Sequence, residues 1–279
     1  MQSLWMIVAS FLFACMGVCV KLAAATHSVA EITFWRSFVA LLLLFVLVRV
    51  RGVTLATPHW RWHLTRGVVG YTALFGYFYA IALLPLATAV TLNYTSAIFL
   101  ALYLALTGLR LRPGMLLALA LGLLGVALLL RPSLYAEQLW GGVIGLASGA
   151  VAAMAYFSVR EVGRRGESEV RTVFYFSLVA TLCSLLWLLF SDMHLPDLRS
   201  GLLLLGVGVF AALAQLAMTR AYVRGKTLVS AALAYSTVIF SSLAGLLFWG
   251  ETLPSSAWAG IVLIILSGVG ATHFSRAKG

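Results

Sequence analysis

Apolar residues in this chain come in long unbroken runs separated by short polar gaps. The runs lie at about 4–24, 32–49, 65–84, 87–108, 114–131, 139–160, 170–190, 200–222, 227–249 and 255–274. They show neither the alternation of a half-buried strand nor the single apolar stripe of a water-facing helix. A helix needs about 20 mostly apolar residues to cross a bilayer, and a chain in lipid must satisfy its backbone within a helix or a closed barrel. The pattern therefore predicts an all-α integral membrane protein with ten transmembrane helices. The third and fourth are joined only by Leu84-Pro85-Leu86, where proline ends a helix for want of an N–H. The first run, MQSLWMIVASFLFACMGVCVKLAA, lacks a basic lead-in and a small-residue cleavage site. It reads as a retained span rather than a signal peptide.

Composition agrees. Of 279 residues, 62% are hydrophobic and 10% charged, against roughly 25% charged in a soluble domain. The net charge of +11 does not point to nucleic acid, because the basic residues sit in the gaps between runs and leave no contiguous basic face. They set orientation instead. With the N-terminus inside, the 15 inner cations are Arg49, Arg51, Arg61, Arg66, Arg110, Arg112, Arg160, Arg164, Arg165, Arg171, Arg220, Arg224, Lys226, Arg276 and Lys278. The 4 outer ones are Lys21, Arg36, Arg131 and Arg199. The positive-inside rule then places both termini in the cytoplasm. All eight tryptophans fall near run ends or in loops, as an interfacial belt does. Cys15, Cys19 and Cys183 lie inside runs, without metal-type spacing, and read as small packing residues.

The chain repeats itself. NYTSAIF at 93–99 matches AYSTVIF at 234–240, an offset of 141 (94 to 235). FWRSFVA at 34–40 matches FYFSLVA at 174–180, and Leu4-Trp5 matches Leu139-Trp140, in the same order. Residues 1–132 and 139–276 thus read as two copies of one five-span unit. Five is odd, so the second copy enters the membrane from the opposite side and the repeats are inverted. The loop after span two carries Arg49, Arg51, Arg61 and Arg66; its equivalent after span seven carries Asp192, His194, Asp197 and Arg199. Inverted repeats place a substrate site near the midplane between the halves, where rocking gives alternating access.

Over its whole length the chain resembles the drug/metabolite transporter superfamily, in its ten-helix EamA-type branch. The resemblance rests on the five-plus-five layout, Arg36 opening span two, and GETLPSSAWAGIVLIILSGVG at 250–270. Within the branch it looks most like YddG-type amino-acid exporters. Many members carry a proline in spans four and nine; here Ser96 and Thr237 stand there. The resemblance implies a multi-pass protein of the bacterial inner membrane that exports amino acids, aromatic and other neutral ones, or similar small metabolites.

Polar side chains within the runs are the candidates for a substrate site. Ser230, Ala234, Thr237 and Ser241 share one face of span nine, and Ala89, Asn93, Ser96 and Leu100 the equivalent face of span four. Close helix packing and a wet cavity wall are both open readings of these faces. An amide is costly against lipid, so Asn93 belongs to the cavity. Tyr94 and Tyr235 flank it in the two heptapeptides. Span three offers Tyr71, Phe75 and Phe78 or Tyr79; span six Ser148, Ala152 and Tyr156; span eight Gln215, Met218 and Tyr222. Gln215 stands alone as a glutamine inside a run, and methionine beside aromatics suits a compliant pocket. For Lys21, Arg36 and Arg220 the expected role is snorkelling to the interface. Gly122, Gly125, Gly260, Gly268 and Gly270 read as close-packing sites between spans five and ten, within one molecule or between two.

The acids decide what else is excluded. Glu31, Glu137, Glu161, Glu167, Glu169, Asp192, Asp197 and Glu251 all lie near run ends or in loops. With none mid-span, the proton switch usual in coupled carriers has no evident seat, and facilitated export is expected. A zinc or aspartyl intramembrane enzyme lacks its motif, and nothing suggests the charged or carbonyl rings of a channel. PHWRWHLTR, with His59 and His63, reads as an anchor at the inner leaflet. No cofactor or metal is called for. The expected partners are a small-molecule substrate and the lipid bilayer, with a monomer sufficient and export of drugs or another metabolite class as the alternative.

Overall fold

The structure, a computed structural model, describes residues 2–84, 86–130, 138–191, 194–250 and 255–276. Among these residues all regular structure is helical. A 3-10 turn at Gln2–Leu4 leads into α1 (Trp5–Ala23), followed by α2 (Val29–Val50), α3 (Trp60–Leu83), α4 (Leu86–Tyr94), α5 (Ser96–Leu106) and α6 (Pro113–Leu130). The second half holds α7 (Leu139–Arg164), α8 (Glu169–Leu188), α9 (Leu198–Arg224), α10 (Thr227–Ala234), α11 (Ser236–Trp249) and α12 (Ser255–Arg276). Nine segments among the described residues are long and apolar enough to cross a membrane. The third expected span, α3, is helical but diluted by Tyr71, Thr72, Tyr77 and Tyr79.

Two corrections to the expected spans matter for the site. Spans four and nine are not continuous: each is two helices meeting at a break. α3 also begins at Trp60, so His63 joins a helix that was expected to start at 65. Pro85, Arg131, Glu137, Asp192, Glu251 and Lys278, all used in the sequence reading, lie outside the described residues, as do the boundary at 132 and part of the 250–270 motif.

Three helix starts carry side-chain caps. Ser28 and Glu31 form a capping box on α2: the Glu31 N–H donates to Ser28 Oγ at 3.3 Å and the Ser28 N–H to Glu31 Oε2 at 2.6 Å. Ser168 accepts from the Arg171 N–H at 3.2 Å on α8. Asp197 accepts from the Ser200 N–H at 2.8 Å on α9. Ser3 and Ser275 lie at one end of the bundle, here called the terminal end. There Ser3 Oγ accepts from the Lys226 N–H at 2.9 Å, and Lys226 Nζ donates to the Ser275 carbonyl.

The helix packing has a pattern of exchange. α1 packs on α9 as α3 packs on α7; α2 packs on α9 as α3 packs on α8; α1 packs on α11 as α5 packs on α7. Swapping the first five spans for the second five turns each pair into the other. α2 with α8 and α6 with α12 map onto themselves. The α6–α12 contact is a glycine crossing within one molecule: a Cβ on Gly125 would lie 2.7 Å from the Gly260 carbonyl oxygen, and one on Gly260 would lie 2.5 Å from that of Gly125.

Candidate functional site

The two breaks share one chemistry. Thr95 Oγ1 donates to the Leu92 carbonyl at 2.5 Å, and Ser236 Oγ donates to the Leu233 carbonyl at 2.7 Å. These residues are partners in the repeated heptapeptide, and such back-bonding bends a helix. The main chain tightens with them. The Thr95 N–H donates to Leu92 O at 3.1 Å and the Tyr235 N–H to Ala232 O at 3.3 Å, three residues back. No proline is needed at either place.

The breaks bring Tyr94 and Tyr235 together, with ring centroids 5.8 Å apart at an interplanar angle of 57°. The Tyr94 hydroxyl is directed at Thr237. Tyr235 is fully buried, its ring fills the space beside Gly122 of α6, and its hydroxyl donates to the Leu119 carbonyl at 3.3 Å. Tyr156 of α7 stacks on Tyr222 of α9 at 5.1 Å and 15°. Tyr77 of α3 lies within electrostatic reach of Tyr94 and Tyr156. Five tyrosines from five spans thus meet, an amphipathic cluster whose faces pack and whose hydroxyls can bond a polar ligand. Met218 belongs to the same buried core as Tyr222 and Tyr235. Gln215 is 9% exposed, and its Oε1 is buried with no hydrogen-bond partner among the described residues.

The structure thus gathers Tyr94, Tyr156, Met218, Tyr222, Tyr235 and Thr237, with Asn93 half-buried beside the first break and Ser96 buried just after it. Two residues of the expected set do not join. Tyr79 is 51% exposed and stacks on Phe75, which abuts Trp187. Two residues along a helix turn the side chain by about 200°, so Tyr77 faces the cluster and Tyr79 does not. Ser241 is exposed.

Two cations stand elsewhere than expected. Arg36 was expected to snorkel and Arg66 to mark the cytoplasmic end. They are 8% and 3% exposed. The Arg66 guanidinium lies 4.2 Å from the Phe176 ring centroid, over Gly70, where a Cβ would come within 2.0 Å of Nη1. It is within electrostatic reach of Tyr156 and of Arg36. Lys21 and Arg220 do stay at the bundle's ends, over Trp249 at 4.0 Å and over Trp5 at 4.8 Å.

The terminal end is latched by Glu167, in the turn before α8. Thr57 Oγ1 donates to its Oε1, His59 Nδ1 lies 3.1 Å from Oε1, and Arg171 Nη1 donates to Oε2 at 2.6 Å. His63 Nε2 is 3.2 Å from Oε2, in contact though off line for a hydrogen bond. Arg171 Nε donates to the Thr54 carbonyl at 2.7 Å, and the Tyr175 hydroxyl to the Leu55 carbonyl at 2.8 Å. Arg165 covers Trp62 at 3.8 Å. The segment read as a lipid anchor thus also ties the loop after α2 to the start of α8 within the chain, while its Trp60 stays exposed.

The comparisons agree with this architecture. A solved crystal structure superimposes with a TM-score of 0.85 over 99% of both chains at 23% identity, a likeness of fold. The pseudopaline exporter of Pseudomonas aeruginosa PAO1 is 37% identical over 94% of this chain and 92% of its own length. A riboflavin transporter of Vibrio cholerae is 26% identical over 99% and 94%, and an uncharacterized transporter of Helicobacter pylori 26% identical over 94% and 91%. These relatives support the family rather than the narrower likeness to YddG-type exporters. The sequence profile of the EamA-like transporter family matches residues 1–131 and again 139–272, and the chain belongs to that family.

Proposed function

We propose that this protein is a secondary transporter that exports a small organic metabolite, of amino-acid size or somewhat larger, by alternating access. The observation that carries the reading is the meeting of two broken helices, through Tyr94 and Tyr235, inside a ring completed by Tyr77, Tyr156 and Tyr222. A break in a spanning helix frees backbone groups where they can face a ligand, and it sits at the substrate site in inverted-repeat carriers. The exchange pattern of helix contacts supports two inverted five-helix halves, 1–132 and 139–276, related across that site.

The terminal end, rich in arginine, faces the cytoplasm of a bacterial inner membrane by the positive-inside rule. Cargo enters there, is held by Asn93, Gln215 and tyrosine hydroxyls, and leaves when the halves rock. Neutral amino acids are the first cargo to test. The relative named as a pseudopaline exporter, similar over 94% of the chain, makes pseudopaline the second.

Purified protein in proteoliposomes should take up labelled phenylalanine, methionine or threonine without a pH gradient, and Asn93→Ala should abolish the uptake. Uptake that appears only with a proton gradient would refute the facilitative mechanism. No uptake of any of the three would remove neutral amino acids as cargo.

A further inference from the structure

Among the described residues, two guanidinium groups lie inside the bundle with no acid to meet them. Among the described residues every carboxylate in an ion pair is engaged elsewhere: Glu31 with His194, Glu161 with Arg160, Arg164 and Arg165, Glu167 with Arg171 and its histidines, Glu169 with Arg224. Asp197 caps α9 at the far end. Arg66 keeps Nε and Nη1 buried and without a hydrogen-bond partner. Its ring contact with Phe176 returns only a small part of what leaving water takes away. The second guanidinium in electrostatic reach, Arg36, makes the position worse by like-charge repulsion.

The helices that carry these arginines, and α9 packed beside α2, hold further orphaned polar atoms. Ser37 Oγ follows Arg36 on α2, Tyr71 Oη lies on α3 and Gln215 Oε1 on α9, all buried and unpartnered among the described residues. Gly70 leaves the guanidinium its space, and Tyr156 links Arg66 to the tyrosine cluster. A planar fork of donors held in a dry interior is the arrangement that binds carboxylates two oxygens at a time.

We propose that Arg36 and Arg66 form an anion site within the bundle and that the cargo is recognised through its carboxylates, best by a dianion spanning both guanidinium groups beside the tyrosine cluster. The proposal deepens the transport reading and rests on it for calling the ligand a cargo. Arg36 and Arg66 then set specificity. Neutral tyrosine, serine and glutamine groups orient the rest of the molecule, and a zwitterionic neutral amino acid engages one arginine only.

The test uses purified full-length protein and two matched probe pairs, glutarate with its diamide and phthalate with its diamide. Thermal unfolding is followed against probe concentration for the wild type, Arg36→Gln and Arg66→Gln. The expected result is stabilisation by at least one acid at a concentration at least tenfold below that of its diamide. Each glutamine variant should lose this preference while melting no lower than the wild type without probe, since an uncompensated buried charge has gone. Equal response to acid and diamide, including no response to either, overturns the proposal. So does an acid preference that survives in both variants, or a probe-free melting point that falls in both.

Should a glutamine variant not fold, Arg36→Lys and Arg66→Lys decide. The charge remains and the fork is lost, so acid affinity should fall at least threefold, and unaltered affinity in both overturns the site. Uptake is scored separately. Acid binding without uptake of labelled probe overturns the transport reading and leaves the anion site. Wild-type uptake of phenylalanine by both glutamine variants, with no acid preference in the parent, does the reverse.

Discussion

Replacing Glu167 with glutamine keeps the side chain's shape and removes the charge that Thr57, Arg171, His59 and His63 share. Burial alone would raise this carboxyl; the hydrogen bonds from Thr57, Arg171 and His59, with His63 in contact, outweigh it and hold the group at about 2, against an ordinary 4.5. The gap, 4.5 less about 2, corresponds to about 3 kcal/mol at 1.36 kcal/mol for each pH unit. The side chain is 3% exposed, but it sits in a turn at the bundle's edge, where nearby water screens part of this, leaving about 2–3 kcal/mol. The sign follows from the direction. A carboxyl lowered on folding stabilises fully above 4.5, and the contribution drains away as pH falls from there through about 2. Hydrogen exchange over residues 52–58 reads the latch directly. In Glu167→Gln at neutral pH this loop should exchange about 30- to 150-fold faster, the equivalent of 2–3 kcal/mol. After correction for intrinsic rates, the wild type should lose protection between pH 4.5 and 2 while the variant stays flat. A variant as protected as the wild type would refute the assignment of the latch to this one carboxylate.

Three other outcomes are expected. Gly260→Ala puts a Cβ 2.5 Å from the Gly125 carbonyl oxygen and 2.9 Å from the Leu129 backbone nitrogen; with no flexible side chain to yield, α6 and α12 must part, at about 1–3 kcal/mol. A melting temperature unchanged in detergent would show that the crossing is looser than described. Tyr156→Leu removes the stack on Tyr222, about 0.5–1.5 kcal/mol beyond its area; it should slow uptake into proteoliposomes several-fold, whereas Tyr79→Leu should not, and equal losses would contradict the placement of the two tyrosines. Thr95→Ala and Ser236→Ala each remove one hydroxyl bond worth about 0.5–1.5 kcal/mol; uptake should change in both single variants and further in the double, and three unaltered rates would separate the breaks from transport.

The spans were legible because a bilayer asks for so little: length and apolar content, which run composition alone supplies. The repeat was legible where a short polar motif recurs, and both helix breaks fall inside that motif. That the spans would break there was not, since Thr95 and Ser236 bend the helix by a local bond that composition does not distinguish from an ordinary packing hydroxyl. The arginines failed for a different reason. Arg36 and Arg66 stand about two turns from a helix end, and a side chain of that length can reach out to the interface or in to the bundle. Gly70 and Phe176 decide the matter for Arg66; helical periodicity places Gly70 one turn away but does not bring in Phe176 of α8. Tyr77 was missed because span three carries three consecutive aromatics, Tyr77, Phe78 and Tyr79, and only the packing of α3 on α7 says which one turns inward. His59 and His63 looked like anchors because their acid partner, Glu167, lies more than a hundred positions away in the chain.

The glycine crossing of α6 and α12 has a consequence in the language of symmetry. When two related halves trade roles, contacts that come in exchangeable pairs must trade as well: what α1 makes with α9 becomes what α3 makes with α7. A contact that maps onto itself has no counterpart with which to trade and stays the same throughout. The α6–α12 crossing, stitched backbone to backbone at Gly125 and Gly260, is such a fixed point. In the proposed alternating access it serves, with the α2–α8 contact that also maps onto itself, as a line about which the rest of the molecule tilts.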